Sequence, residues 1–171
     1  MPVPAYLTIN GAKQGFISQG AYTAESVGNG WQEGHEDQVL IQAFDMGVMQ
    51  PRDPNHGQPN GRRRHHPASF TKIMDKASPL LWKALCSGEV LQLEMKFYRT
   101  SMEGEQEHYF TVQWTDAILV DGKGYIPNCL DAKNDNYSHM EDWQFIYRKV
   151  VWTHERASVS QSDDWRDGAT S

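Results

Sequence analysis

Residues 90–120 read VLQLEMKFYRTSMEGEQEHYFTVQWTDAILV, and this stretch decides the fold class. In residues 90–99 every second side chain is apolar, at Leu91, Leu93, Met95 and Phe97. Because successive side chains of a β-strand point to opposite faces of a sheet, this alternation predicts a half-buried strand. Residues 101–104 read as a turn, and residues 107–120 alternate again. The stretch therefore predicts an antiparallel β-hairpin.

Three other segments extend the β pattern. Residues 39–50 predict a strand whose more apolar parity holds Leu40, Phe44, Met46 and Val48. Residues 68–74 predict a further strand. Residues 140–154 predict a last long strand that is apolar on both faces. A strand of that kind usually lies beneath a second layer or against a partner subunit.

One short helix is predicted among the strands, over residues 79–87. Ser78 is a suitable N-cap, and Pro79 fits the first helical position. Leucine and alanine residues follow at helical spacing, and Gly88 can end the helix.

These elements predict a mainly β fold, with two packed antiparallel sheets in a barrel or sandwich and one short flanking α-helix. The 171 residues suit one domain, which we assign to residues 1–160. Residues 161–171 are assigned to a polar C-terminal tail. The chain is polar from Glu155 onward and is expected to fray there, except where Trp165 can anchor it.

The composition argues against several classes of protein. The net charge is -6 and the pI is near 5.6, which gives no support for nucleic-acid binding. No apolar run approaches the ~18 residues of a membrane-spanning helix. The N-terminus lacks the basic start and apolar stretch of a Sec signal peptide. Cys86 and Cys129 permit one disulfide, but reduced thiols in a cytosolic protein are favoured.

No local motif indicates catalysis or metal binding. In Gly34-His35-Glu36-Asp37 an imidazole stands beside two carboxylates. A metalloprotease helix needs His-Glu-x-x-His, and Val39 occupies the place of the second histidine, so we interpret the segment as a polar turn. The sequence also lacks a nucleophile elbow, a P-loop and a dinucleotide-binding motif. We therefore predict no enzyme, metal site or cofactor, although an active site assembled from distant residues would need no such motif.

A long loop and a basic cluster stand out instead. Residues 51–61 hold three prolines and two glycines, so no regular element is expected to run through them. The loop is longer than a hairpin needs, and long structured loops are often functional. The basic cluster Arg62-Arg63-Arg64-His65-His66 follows, and in an acidic protein it favours salt bridges to another surface or subunit. If the segment is extended, His65 and His66 point to opposite sides and cannot hold one ion.

Taken together, stretches from end to end of the chain resemble the Hcp family, the tube proteins of the bacterial type VI secretion system. The ordered set is specific, although each short stretch alone is weak. It comprises Gln14-Gly15, Gly20-Ala21, residues 23–28 (TAESVG), residues 33–37 (EGHED), Asp53-Pro54 with residues 57–59 (GQP), residues 76–81 (KASPLL), residues 87–89 (SGE), residues 98–101 (YRTS), Glu103-Gly104, residues 106–108 (QEH), residues 147–149 (YRK), Trp152 and residues 163–166 (DDWR).

The resemblance implies a structural protein rather than an enzyme. Members of the family fold as a β-barrel of two packed sheets flanked by a helix, similar to phage tail-tube proteins. Six copies form a ring with a central channel, and the rings stack into a tube that a contractile sheath expels. The tube carries a VgrG spike, and effectors can travel in the channel. The subunit is cytoplasmic and is exported to the medium or a target cell without a Sec signal.

The resemblance also assigns roles to two segments. The loop over about residues 50–67 is expected to contact neighbouring subunits and stacked rings, and its basic cluster to meet acidic side chains of the next ring. The residues assigned to this surface are Arg52, Asp53, Pro54, His56, Gln58, Arg62, Arg63, Arg64, His65 and His66. The strand over residues 39–50 is expected at the inner wall, with Leu40, Phe44, Met46 and Val48 in the core. Ile41, Ala43 and Asp45 are then expected to face the lumen.

Three other hypotheses compete with the tube subunit. The first is a soluble ring that acts as a chaperone or carrier of secreted effectors. The second is a tube domain fused to an effector enzyme, which the short chain beyond Trp165 disfavours. The third is a small hydrolase whose metal ligands are dispersed along the sequence.

Overall fold

The computed structural model describes residues 3–166 of the chain. In that range the strands are β1 (Ala5–Gly11), β2 (Gly15–Phe16), β3 (Val39–Ile41), β4 (Ala43–Asp45), β5 (Val48–Met49), β6 (Arg64–His65), β7 (Ala68–Ile73), β8 (Leu91–Thr100), β9 (Gln106–Tyr125), β10 (Met140–Ile146), β11 (Lys149–His154) and β12 (Val159–Asp164). The helices are α1 (Ala24–Val27) and α2 (Ser78–Ser87), with 3₁₀ turns at Gly28–Gly30 and Ala132–Asn134.

The predicted hairpin is confirmed as β8 and β9. Its turn is closed by the Ser101 amide, which donates to the Glu105 carbonyl at 2.7 Å, and by the Gly104 amide, which donates to the Ser101 carbonyl at 3.0 Å. The second strand runs five residues beyond its predicted end at Val120. This length matters because β9 belongs to both sheets of the molecule.

The strand β9 changes sheets at Asp116, which has the left-handed φ of 53°. Residues up to Ala117 pair with β8 and β11, and residues from Ile118 onward pair with β10. The first sheet contains β2, β1, β3, β8, β11 and β12, and the second contains β10, β7 and β4. The segment that joins β10 to β11 turns at the same corner. There Arg148 Nε donates to Asp116 Oδ2 at 2.7 Å.

This corner explains the apparently two-faced strand of residues 140–154. The segment is two strands, β10 in the second sheet and β11 in the first. From Glu141 to Tyr147 the buried side chains lie at odd positions, and Val150 continues the core at an even position. The predicted second layer is therefore the other sheet, across one shared core, whereas Ile146 and Val151 are half-buried and lie outside the core cluster. Covering by a partner subunit stays a prediction.

The segment of residues 39–50 is also broken between sheets. The strand β3 pairs with β1, whereas β4 pairs with β7, and the Gln42 amide between them donates to the Thr71 carbonyl at 2.9 Å. The inward parity switches at this bend. Ile41 is 2% exposed and belongs to the core, so its expected place facing the lumen is wrong. Ala43 and Asp45 are exposed, and their place facing the lumen stays a prediction.

The predicted core parity of that segment is partly wrong for the same reason. Phe44 and Met46 pack against the core, but Val48 is 45% exposed because it lies in β5, outside both sheets. Between the sheets, Trp114 lies 5.6 Å from Phe44 and 5.1 Å from Phe145 between ring centroids. The mainly β, antiparallel fold of two packed sheets is confirmed, although the strand path stays open between β2 and β4.

The helix α2 lies over this fold and ends at Gly88, which is left-handed as predicted. Ala77 rather than Ser78 takes the N-cap position, because the Ser78 hydroxyl is used in a buried polar network. Within it, Lys72 Nζ contacts Glu141 Oε2 at 2.8 Å, Ser78 Oγ at 2.9 Å and Asp75 Oδ1 at 3.1 Å. We call Lys72, Asp75, Ser78 and Glu141 the helix junction.

The C-terminal tail is more ordered than the sequence suggested. Val159–Asp164 forms β12 and pairs with β11, so the expected fraying is wrong for these residues, and the strand crosses the predicted domain boundary. The predicted anchor is confirmed: Trp165 packs against the core, and its indole Nε1 donates to the Tyr147 carbonyl. Residues 167–171 of the predicted tail lie outside the described residues.

Candidate assembly surface

The long loop forms the outer part of a hairpin over residues 47–66. We call this hairpin the arm. It starts with β5 paired to β6 and continues through a bridge between Arg52 and Pro59. The Asn60 amide donates to the Pro51 carbonyl at 2.9 Å, and the Asp53 amide donates to the Gln58 carbonyl at 2.7 Å. Within residues 51–61 the pairing is limited to this one isolated bridge, and no strand or helix is formed there, so the prediction that no regular element runs through the loop is confirmed.

The prolines are tolerated because they lie where the ladder needs a carbonyl or a turn rather than an amide donor. Pro51 supplies an acceptor, and Pro54 lies in the tip. At that tip, Asp53 Oδ1 accepts from the Asn55 amide at 2.7 Å, and Gly57 takes the left-handed φ of 69° that closes the turn.

Strand alternation divides the basic cluster into two sets. Arg63 and His65 point toward the sheets and are half-buried as residues. Arg62, Arg64 and His66 share the other parity and are exposed. The prediction that His65 and His66 face opposite sides is thus confirmed. The sequence left open whether this segment is extended or loop, so it could not divide the arginines into an inward and an outward set.

The inward set fastens the arm to the C-terminal strand. Arg63 donates from Nε to Asp163 Oδ2 at 2.6 Å and from Nη2 to Asp163 Oδ1 at 2.7 Å, a two-pronged ion pair. Arg63 Nη2 also donates to the Asp164 carbonyl at 3.1 Å. His65 Nε2 lies 2.6 Å from Asp163 Oδ2, and its Nδ1 lies 2.7 Å from Tyr147 Oη.

Aromatic contacts complete this anchorage. The His65 ring lies edge-on to Tyr147 at 5.3 Å and stacks on Trp165 at 5.8 Å between centroids. We call Arg63, His65, Tyr147, Asp163 and Trp165 the arm junction. Tyr147, Asp163 and Trp165 were absent from the predicted surface, although Tyr147 and residues 163–166 occur in the stretches that carry the resemblance.

Electrostatics fix the protonation of two members of the arm junction. Hydrogen bonds from Arg63 first, and then His65, hold the pKa of Asp163 below its usual range. Burial, and then the Asp163 charge, raise the pKa of Tyr147 to about 12. Tyr147 therefore keeps its proton at neutral pH. Its hydroxyl can donate to His65 Nδ1 while His65 Nε2–H donates to Asp163, an arrangement assigned from the hydrogen-bond network.

The outward side of the arm is exposed and mixed in character. Arg52, Pro54, His56 and Gln58 are exposed around the tip, whereas Asp53 is half-buried by its turn. Near the base, Val48 is 45% and Met49 is 42% exposed. Cations, a proline-rich tip and two apolar side chains thus share one projecting element, which is the composition of a protein contact surface rather than of a catalytic site.

A second surface is built around Ala43 and Asp45. Ala43 pairs with Thr71 and Asp45 with Ser69, and these continue to Asp142 and Gln144 on β10. Two rows of side chains thus cross the sheet from β4 to β9. The row from Ala43 ends at Lys123, and the row from Asp45 ends at Asp121. Thr71 Oγ1 donates to Asp142 Oδ1 at 2.7 Å, so one row is hydrogen-bonded across two strands. The result is a polar sheet face four strands wide.

Residues 3–166 contain no group of three histidine, cysteine, aspartate or glutamate side chains that could hold a metal. Cys86 and Cys129 are free and exposed. In the Gly34–Asp37 turn, the His35 ring stacks on Tyr6 at 3.7 Å and thereby pins the turn to β1. No helix in the described range is long and apolar enough to span a membrane.

Comparisons with known proteins agree on one family. A family model described as the type VI secretion system effector Hcp matches residues 6–154. The "major exported protein" of Pseudomonas aeruginosa is 56% identical over 167 residues, which cover 97% of each chain. A crystal structure of an Hcp protein superposes with a TM-score of 0.93 at 42% identity and covers 96% of this chain and 99% of the other. The secreted protein Hcp3 of Pseudomonas aeruginosa superposes with a TM-score of 0.79 at 50% identity and covers 95% and 99%.

Proposed function

Since the chain belongs to the Hcp family of the type VI secretion system, we propose that it is the structural subunit of that system's tube. Six copies close into a ring, and rings stack head to tail into a tube expelled by a contractile sheath. The observation that carries the proposal is the arm: an ordered hairpin fastened at its base, with an exposed outer face that has no partner within the described chain.

The outer face of the arm supplies the contact between rings in this proposal. Arg62, Arg64 and His66 meet carboxylates of the neighbouring ring, while the tip residues Arg52, Pro54, His56 and Gln58 contact the adjoining subunit. Exposed charges of this kind set orientation and register more than they add affinity. Asp53 shapes the tip, and Arg63 and His65 hold the arm in place from within the subunit.

The polar sheet face around Ala43 and Asp45 faces the channel in this proposal. Its serine, threonine and glutamine side chains offer hydrogen bonds without a large apolar patch. Such a surface suits the passage of effector proteins, because it holds cargo weakly and releases it. Ile41 has no part in the lumen because it is a core residue.

The remaining partners follow from the family. The tube carries a VgrG spike at its tip and transports effectors, and the subunit itself is neither an enzyme nor a cofactor protein. It is made in the cytoplasm and leaves the cell through the secretion system without a Sec signal. The name of the Pseudomonas aeruginosa relative, a major exported protein, supports this route.

The solution mass tests the proposal. Size exclusion with light scattering, over a range of protein and salt concentrations, should find a species of six times 19.5 kDa, about 117 kDa. Larger stacked species should grow with concentration. A monomer at every concentration would leave the family fold without the assembly and would contradict the tube proposal.

A further inference from the structure

The arm is held from a single place. In the described part of the chain, the side-chain hydrogen bonds from the arm to the two sheets end on Tyr147, Asp163 or Asp164. Asp163 alone receives three of them, two from Arg63 and one from His65. Asp163 belongs to β12, an edge strand that pairs only with β11.

The geometry at Asp163 constrains direction as well as position. A planar guanidinium that grips both oxygens of one carboxylate fixes the relative angle of the two groups. His65 is held between Tyr147 and Trp165, and its side chain is only 2% exposed, so rotation about the same base is blocked. Arg63 and Asp163 are about a quarter exposed, so this pair is partly shielded from water.

A small change of angle at the base is large at the tip. Arg63 lies seven positions after His56, and an extended segment of that length spans roughly 20 Å, so a tilt of about 10° moves the tip by about 3 Å. The tip itself has no described hydrogen bond to either sheet that could correct such a tilt. The direction of the arm is therefore decided at its base.

We propose that Asp163 is a positioning residue for assembly: through Arg63 and His65 it sets the direction of the arm in the isolated subunit. The C-terminal strand thereby controls how readily subunits associate, since an arm that is already oriented loses less conformational freedom on docking. This inference rests on the proposed role of the arm in assembly, but its structural half can be tested without it.

The direct test measures where the arm points. Nitroxide labels are placed on His56→Cys at the tip and on the native Cys86 of α2, in a Cys129→Ser background. Labelled and unlabelled protein are mixed at a total subunit concentration below the onset of association in light scattering, and pulsed electron paramagnetic resonance gives the distance distribution in the isolated subunit. The variants are Asp163→Asn and Arg63→Gln. Arg62→Gln is the matched control because its side chain is exposed on the opposite parity.

We expect a single narrow distribution for the parent and for Arg62→Gln. Asp163→Asn and Arg63→Gln should broaden it at least twofold. Arg63→Lys keeps the charge but cannot bond both carboxylate oxygens in parallel, so its distribution should have an intermediate width. In light scattering, Asp163→Asn should raise the subunit concentration for half-association by about tenfold. Urea midpoints confirm that each variant is folded, and Arg63→Gln replaces Asp163→Asn if that variant is not.

The outcomes separate the two proposals. A folded Asp163→Asn variant with the parental width would overturn the positioning role. A broadened distribution with unchanged association would disconnect the direction of the arm from assembly and overturn the control by the C-terminal strand. If the parent never associates, the proposed tube function fails, while the comparison of widths still decides whether Asp163 orients the arm.

Discussion

The arm junction and the helix junction both attach an element to the sheets through charged side chains, but those side chains differ in their exposure to solvent. Each fastens an element outside the sheets at a cation–carboxylate pair. Lys72 and Glu141 lie on paired strands and hold α2 through Ser78, whereas Arg63 reaches from the arm to Asp163 on β12. At the helix junction, the Lys72 side chain is 0% and that of Glu141 is 1% exposed. At the arm junction, Arg63 and Asp163 are 24% and 25% exposed. The first pair is part of the folded core, whereas the second lies at its edge.

The difference in exposure separates charges that stabilise the fold, at the helix junction, from charges that position the arm, at the arm junction. Glu141 also accepts hydrogen bonds from Ser78, Trp82 and Trp143, so removing Lys72 would leave a buried charge in a network that cannot rearrange. At the arm junction, water can replace a lost partner. The helix junction should therefore govern global stability, and the arm junction should govern the position of the arm.

The largest expected effect is loss of the fold through Lys72. Lys72→Met leaves the Glu141 carboxylate buried without its counter-charge, which costs about 3–5 kcal/mol for a pair of this kind. Urea denaturation at one fixed subunit concentration measures the change. Lys83→Met, on the exposed side of α2, is the control and should change the free energy of unfolding by less than about 0.5 kcal/mol. Equal losses in the two variants would remove the distinction between the junctions.

An intermediate effect is expected from acid. The pKa of Asp163 is lowered in the folded chain, so its contribution to stability is present above the ordinary aspartate pKa of ~3.9 and is lost as the pH falls through the folded value. Burial raises the pKa of Asp75, so this group costs stability as the pH rises and relieves that cost on acidification. The arm junction should therefore loosen before the helix junction.

The indole protons report the two junctions separately. Trp165 Nε1 donates to Tyr147 at the arm junction, and Trp143 Nε1 donates to Glu141 at the helix junction. In ¹⁵N-labelled protein, the Trp165 indole resonance should shift or broaden below about pH 4 while that of Trp143 persists. Earlier loss of the Trp143 signal would reverse the expected order, and simultaneous loss would mean that the two junctions unfold together.

The smallest effect on the fold is expected on the outer face of the arm. Arg62→Glu with Arg64→Glu should change the free energy of unfolding by less than about 0.5 kcal/mol, because both side chains are exposed. The ring should form, but sedimentation should show that stacked rings no longer do. Lys83→Glu with Lys133→Glu is the control because it makes the same change in net charge elsewhere. Unaltered stacking would count against the arm as the contact between rings.

Much of the fold could be predicted because its signals are local. The β8–β9 hairpin and the end of α2 at Gly88 follow from alternation and from one glycine. The corners could not be predicted, since at Gln42 and at Arg148-Lys149 the inward parity switches at polar residues, with no glycine or proline to mark a turn. Ile41 was assigned to the lumen for this reason. The prediction assumed one inward-facing parity along residues 39–50, but the chain bends at Gln42 and passes from one sheet to the other.

The candidate surface was found in outline, but its internal organisation was not. The unusual loop and the basic cluster marked the arm by composition. The ion pair of Arg63 with Asp163 joins residues one hundred positions apart, and no pattern in one sequence reports such a contact. The polar tail concealed β12 for a related reason: an edge strand with little burial carries no apolar alternation.

The alternation of Arg63 and His65 with Arg62, Arg64 and His66 limits how the arm can change length. Inserting or deleting one residue on its returning side would exchange the two sets, so that the anchoring side chains would face outward and the exposed ones would face Asp163. Inserting one residue on each side, opposite one another, would preserve both. Related chains should therefore differ in arm length by even numbers of residues, and an odd difference should be accompanied by a bulge or by a new partner in place of Asp163.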